Sequence, residues 1–107
     1  MSTATQGRAR EHKVRDEMIA AGWSLVSRSA GSKGAADLVM VSPERGLALV
    51  QVGTGNKTIG PSDRERLTEL AALCGALPLL AQCAPRTRTV YWHVTTEPAG
   101  RWDQWVL

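Results

Sequence analysis

Two apolar runs, residues 37–41 (Asp-Leu-Val-Met-Val) and 47–52 (Leu-Ala-Leu-Val-Gln-Val), flank the segment Ser42-Pro43-Glu44-Arg45-Gly46. A turn with proline early and glycine late between two such runs predicts a β-hairpin. If Val41 pairs with Leu47, the antiparallel register places Asp37 opposite Gln51. Directly opposed residues share one face. A carboxylate and an amide oxygen then converge beside the Val52 carbonyl, and oxygen donors grouped in this way suit Mg²⁺. A slip of one residue would separate them. Taken alone, Asp37 reads as the last residue of a turn, because Asp is disfavoured within a strand.

The rest of the chain fits around this hairpin. At 107 residues it is a single domain, 1–107, too short for a full doubly wound dinucleotide fold or a long repeat array. Residues 1–6 read as a polar tail. Residues 7–21 carry a helical stripe of Val14, Met18 and Ala21, widened by Ile19, and Gly22 is the stop signal. Residues 23–28 form a short strand candidate, and residues 29–34 a Gly/Ser turn. Residues 53–61 are a glycine-rich loop. Ser62-Asp63-Arg64-Glu65 reads as a capping box that opens a second helix. Its stripe is Leu67, Leu70, Ala71 and Cys74, and Gly75 ends it. Residues 77–82 and 88–94 are further strands, and residues 96–107 have no clear pattern. The order α-β-β-β-α-β-β predicts an α/β fold, a mixed sheet with helices packed on it.

No run approaches the roughly 18 apolar residues of a membrane span. The N-terminal residues contain no apolar segment of the kind a signal peptide needs. Cys74 and Cys83, without a CxxC spacing, read as reduced thiols, so the expectation is a cytoplasmic protein with no membrane partner. Cys74 lies on the stripe of the second helix and is expected to pack rather than react. The net charge of +3, from 13 basic and 10 acidic residues, leans toward an anionic partner. The basic residues cluster at Arg8, Arg10, Lys13 and Arg15, and again at Arg64, Arg66, Arg86 and Arg88.

Glu11 is three residues before Val14 and seven before Met18, so it points along their apolar face. It either enters a polar site there or sits in a loose first turn and favours the helix dipole. Ser29-Ala30-Gly31-Ser32-Lys33-Gly34 lacks the GxxxxGK[ST] pattern and reads first as a flexible connector. His12 and His93 stand apart from any cluster and read as surface or strand histidines.

The segments Gly7-Arg8-Ala9-Arg10-Glu11 and 22–38, above all Arg28-Ser29-Ala30-Gly31-Ser32-Lys33 shortly before Asp37-Leu38, resemble the archaeal-type Holliday junction resolvases of the PD-(D/E)XK nuclease superfamily. The likeness spans residues 7–94. It implies a restriction-endonuclease-like fold, a homodimer and Mg²⁺-dependent cleavage of four-way DNA junctions, with Mn²⁺ as a substitute ion. The family's helical glutamate falls on Glu11, its loop serine on Ser32 and its metal-binding aspartate on Asp37. The family's Glu-x-Lys motif reads here Gln51-Val52-Gly53. The resemblance therefore implies a metal held by Asp37, Gln51 and the Val52 carbonyl. The lysine role passes to Lys57, with Lys33 as the alternative. Arg8, Arg10, Lys13, Arg15, Arg28, Ser32 and Lys33 are the expected DNA contacts. The competing expectation is a nuclease-fold protein that binds branched DNA without cutting it, since Gln51 lacks a charge and Gly53 lacks an ammonium.

Overall fold

The computed structural model describes residues 3–28, 36–84 and 86–107. In chain order the elements are α1 (Thr3–Ala20), β1 (Ser24–Arg28), β2 (Leu38–Ser42), β3 (Gly46–Gly53), α2 (Pro61–Cys74), β4 (Ala76–Gln82), β5 (Val90–His93), a 3₁₀ turn (Ala99–Arg101) and β6 (Asp103–Trp105). Helix α1 begins at Thr3, earlier than the sequence pattern suggests. The unassigned C-terminal residues supply the 3₁₀ turn and β6.

The six strands form one sheet in the order β1-β2-β3-β4-β5-β6. Neighbours are antiparallel except β3 and β4, which run parallel from Leu47↔Ala76 to Gly53↔Gln82. A parallel pair cannot be closed by a tight turn and needs a crossover. Helix α2 is that crossover. The mixed sheet flanked by helices expected from the sequence is the fold observed.

Alternation along the strands divides the core in two. On the α1 side, Val14 and Met18 pack with Leu38, Met40, Ala48, Val50, Leu79 and Tyr91. On the α2 side, Leu67 and Ala71 pack with Leu49, Ile59, Leu80, Val94 and Trp102. Each helix buries a narrower stripe than its periodicity suggests. Ile19 is 48% exposed and Ala21 is exposed at the end of α1. On α2, Leu70 is 40% exposed and Cys74 is exposed, so Cys74 is not a packing residue; the buried thiol is Cys83. A helix laid on a twisted sheet touches it along one line. Residues four apart, Leu67 and Ala71, occupy that line, and those three further on fall to its flank.

Local chemistry sets the hairpin and the helix ends. The Ser42 hydroxyl accepts the Glu44 and Arg45 N–H groups at 3.3 and 3.4 Å, which shapes the β2–β3 turn. Gly46 leaves that turn at φ 76°, in the left-handed region that glycine enters without a Cβ clash. The Ser62–Glu65 capping box is not used. Helix α2 starts two residues earlier, with Gly60 as N-cap and Pro61 at its head, and no side chain caps it. Proline at the first helical position has its φ pre-set and no N–H to satisfy.

Two side-chain ties close the domain. The Glu17 carboxylate of α1 accepts the hydroxyls of Thr89 at 3.0 Å and Tyr91 at 2.9 Å. Trp105 of β6 meets the Trp23 and Tyr91 rings edge-on at 5.9 and 6.1 Å, with the Arg45 guanidinium over its face.

The burial pattern predicts a contrast between two leucines. Leu80 is fully buried in β4, whereas Leu73 on α2 is 86% exposed. Leu80→Ala should cost about 2–5 kcal/mol by lost transfer energy plus a cavity. Leu73→Ala should stay within about 0.5 kcal/mol. Denaturant unfolding of the two variants measures both, and similar costs would contradict this core.

Candidate functional site

The hairpin forms in the expected register, Val41↔Leu47 through Leu38↔Val50. One step beyond the last pair, Asp37 stands at the level of Gln51. Its N–H donates to the Val50 carbonyl at 2.9 Å. Its Oδ2 accepts the Val52 N–H at 2.8 Å. Strand β2 begins only at Leu38 while β3 runs on to Gly53, so the Asp37 side chain takes the ladder bond that an earlier β2 residue would have made. The carboxylate is thereby fixed in the plane of the sheet. Val50 and Val52 are alternate residues, so the Val52 carbonyl faces the same vacated side. Gly53 faces the other way, its carbonyl accepting the Cys83 N–H at 2.8 Å.

Glu11 approaches from α1, which lies on the opposite face of the sheet from Leu49 and hence, by alternation, from Gln51 and Gly53. The two sides meet at the rim where β2 stops. Glu11 is 21% exposed, and its Oε1 lies 3.6 Å from Arg28 Nε. Burial pushes its pKa above the ordinary value, and the Asp37 carboxylate pushes it further; Arg28, Arg8 and Arg10 pull it down without cancelling the rise. Of the two roles open to Glu11, the structure therefore shows the inward one: a partly buried carboxylate in electrostatic contact with Asp37.

Arg28 Nη1 lies 3.0 Å from His12 Nε2. A guanidinium only donates, so His12 Nε2 is the acceptor in this contact. His12 is thus half-buried and engaged. The sequence offered little sign of this, because its partner lies on β1 and the two meet only through the docking of α1.

The Gly53 site is unusually tight. A Cβ built on Gly53 would fall 2.5 Å from Lys57 Cβ and 2.8 Å from Lys57 Cδ, and closer still to Cγ. The stem of Lys57 occupies the volume a side chain at 53 would need. The loop that brings it there turns at residues 54–57, with the Lys57 N–H on the Thr54 carbonyl at 3.0 Å. Gln82 Nε2 donates to the Lys57 carbonyl at 2.8 Å.

The expected DNA contacts are in different states. Arg8 is exposed and Arg10 half-buried, both within electrostatic reach of Glu11. Lys13 Nζ donates to the Thr87 and Ala84 carbonyls at 3.2 and 3.4 Å, and Arg15 pairs with Asp16 at 2.9 Å. Arg28 is engaged with Glu11 and His12. Ser32 and Lys33 lie outside the described residues. Among the described residues no three His, Cys, Asp or Glu side chains gather closely enough to hold a metal ion by themselves. What the rim offers a cation is a fixed carboxylate, an amide, a main-chain carbonyl and a second carboxylate whose charge Arg28 offsets only in part. That set is hard and oxygen-only, which fits Mg²⁺ or Mn²⁺ rather than a thiophilic ion.

The chain folds as a Holliday junction resolvase does. Its structure superposes on that of Archaeoglobus fulgidus Hjc, a Holliday junction resolvase from an archaeal hyperthermophile, with a TM-score of 0.68 over 80% of this chain and 70% of that one, at 22% sequence identity. No protein-family model matches the chain, and no curated protein sequence does. No helix among the described residues is long and apolar enough to cross a membrane.

Glu11 gives the site a measurable signature. Its folded-state pKa lies above the ordinary 4.5, so its charged form lowers stability. The cost is full above the folded pKa and vanishes once the pH falls below the unfolded value. Glu11→Gln should therefore raise the melting temperature at neutral pH, and the gain should shrink as the pH drops toward 4.5 and below. Thermal melts of both proteins across a pH series measure this. A loss of stability at neutral pH would contradict the arrangement.

Proposed function

We propose that the chain is a divalent-metal-dependent endonuclease that cuts branched DNA, four-way junctions above all. The observation that carries this reading is the rim of the hairpin: Asp37 pinned by the Val52 N–H beside Gln51, with the Lys57 stem laid across Gly53. It is supported by the resolvase fold and by a cluster of basic residues on the helix that carries Glu11.

Asp37, the Gln51 amide oxygen and the Val52 carbonyl would hold Mg²⁺ or Mn²⁺. Such an ion supplies a polarised phosphate and a water of lowered pKa. The residues of the chain do the rest. The Val52 N–H bond keeps Asp37 Oδ2 in one place, so the carboxylate needs no reordering when a cation arrives. Glu11 adds negative charge from the α1 side, and Arg28 offsets part of it. Gln51 keeps an oxygen where the resembled family has a carboxylate. It gives up a unit of charge, so this site should hold its metal more weakly. Lys57 provides an ammonium from the loop in place of one from position 53. A fixed cation stabilises the charge that builds on a phosphate in the transition state.

Arg8, Arg10, Lys13 and Arg15, with Arg28, Ser32 and Lys33, are the phosphate contacts. Such contacts position DNA without reading its sequence, which suits recognition by shape. Lys13 and Arg28 exchange their internal partners for phosphate in this reading. A chain with one site needs a second copy to cut two strands of a junction, so the acting form is a homodimer. The second reading, a fold that binds branched DNA without cutting, rests on the uncharged Gln51.

Cleavage of a four-way junction with Mg²⁺ or Mn²⁺, and none with EDTA, separates the two readings. Binding should favour junction over linear duplex and weaken steeply with salt, because phosphate contacts release counterions. Asp37→Asn should abolish cutting and leave junction binding intact. Lys57→Ala should slow cutting by a factor on the order of 10². Restoring a lysine at 53 requires Lys57→Gly beside it, because even an alanine at 57 leaves its Cβ 2.5 Å from the new one. That double variant should recover part of the rate. Unchanged cutting by Asp37→Asn would overturn the site.

A further inference from the structure

Lys57 sits on a loop, and a lysine on a loop is ordinarily a poorly placed cation. Its long, flexible stem has many rotamers to give up before the ammonium can be held in one place. Both main-chain polar groups of Lys57 are nevertheless tied down. Its N–H donates to the Thr54 carbonyl, and its carbonyl accepts from Gln82 Nε2 at 2.8 Å. Gln82 is itself held, because the Trp92 indole N–H donates to Gln82 Oε1 at 2.9 Å. The order of these bonds is forced. An indole N–H can only donate, so the oxygen of the Gln82 amide must face Trp92 and its nitrogen must face a carbonyl. The carbonyl it finds is that of Lys57.

Register explains the reach. Gln82 is the parallel partner of Gly53, and Trp92 lies on the neighbouring β5, paired with Leu80. Two strands that take no part in the rim therefore extend a side-chain chain across the sheet to the loop above Gly53. The hollow beside it, lined in part by Lys57, Thr58, Gln82 and Trp92, measures about 40 Å³. That is room for a water molecule and not for a substrate, so these polar groups serve the loop rather than a small ligand.

We infer that Trp92 and Gln82 are positioning residues that lock the Lys57 loop across Gly53 and so fix the ammonium of the site. The inference rests on the reading of Lys57 as that site's cation. Gly53 completes the device: the loop can lie flat on β3 only because no side chain stands at 53. The lysine, the glycine and the glutamine act as one unit spread over 53, 57 and 82.

A double-mutant cycle tests it. Gln82→Met keeps the length of the side chain and removes both hydrogen bonds; Trp92→Phe removes only the upstream donor. The readouts are single-turnover junction cleavage, junction Kd and thermal stability, each in the natural background and in Lys57→Ala. Gln82→Met should slow cleavage at least about tenfold, as expected for a misplaced transition-state cation. It should leave Kd within about twofold, and in Lys57→Ala it should cause no further loss of rate. Trp92→Phe should give a smaller loss with the same dependence on Lys57. Equal losses of rate in both backgrounds, or none in the natural one, overturn the positioning role while Lys57 keeps its own. If Lys57→Ala itself cuts normally, or the natural protein never cuts, the reading of Lys57 fails and the inference falls with it.

Discussion

The hydrogen bond from the Val52 N–H to the Asp37 carboxylate governs the rim of this molecule. Strand β3 lies in the middle of the sheet and is longer than its antiparallel neighbour β2. Where β2 ends, a main-chain donor of β3 is left without a ladder partner. An unmet donor in a partly buried place costs about 1–3 kcal/mol. Asp37 meets it from the side, at 2.8 Å, and in doing so gives up its own freedom. One bond therefore completes the sheet and fixes a carboxylate level with an amide, where β2 gives way and β3 runs on.

The charges around that bond are not balanced. Burial and Asp37 both disfavour the ionised form of Glu11, and three arginines only partly compensate. A core would normally be free of such a conflict, since an unneutralised buried carboxylate brings no stability of its own. This conflict, concentrated where the strand ends are open, is one ground for the proposal that the rim takes a cation from solution. The tie between Glu17, Thr89 and Tyr91 is the contrasting case. There the carboxylate is satisfied by two hydroxyls, and the result is a fastening between α1 and β5.

Much of this was readable from the chain. The Pro-Gly turn and the two apolar runs determined the hairpin and its register, because a one-residue slip would have turned every buried side chain outward. That register alone placed Asp37 level with Gln51. The α-β-β-β-α-β-β order and the shortness of the chain determined the layered α/β fold. The helical period placed Glu11 on the face of Val14 and Met18. These are local or near-local patterns, spanning a few residues each, and they act whatever the rest of the chain does.

Tertiary structure decided the rest. Periodicity could not say how wide a stripe each helix would bury, and Ile19, Leu70 and Cys74 proved to lie beyond the line of contact. The start of α2 depended on Pro61 and Gly60 rather than on the Ser62–Glu65 pattern, because the preceding loop fixes where the helix enters. The sequence marked residues 53–61 as a glycine-rich loop, but only the packed sheet shows the Lys57 stem filling the space above Gly53. The chain from Trp92 through Gln82 to Lys57 joins residues on two strands and a loop. Nothing local links them. Their contact follows from the order of strands in the sheet, which places Gly53 beside Gln82 only after α2 has carried the chain back to lay β4 parallel to β3.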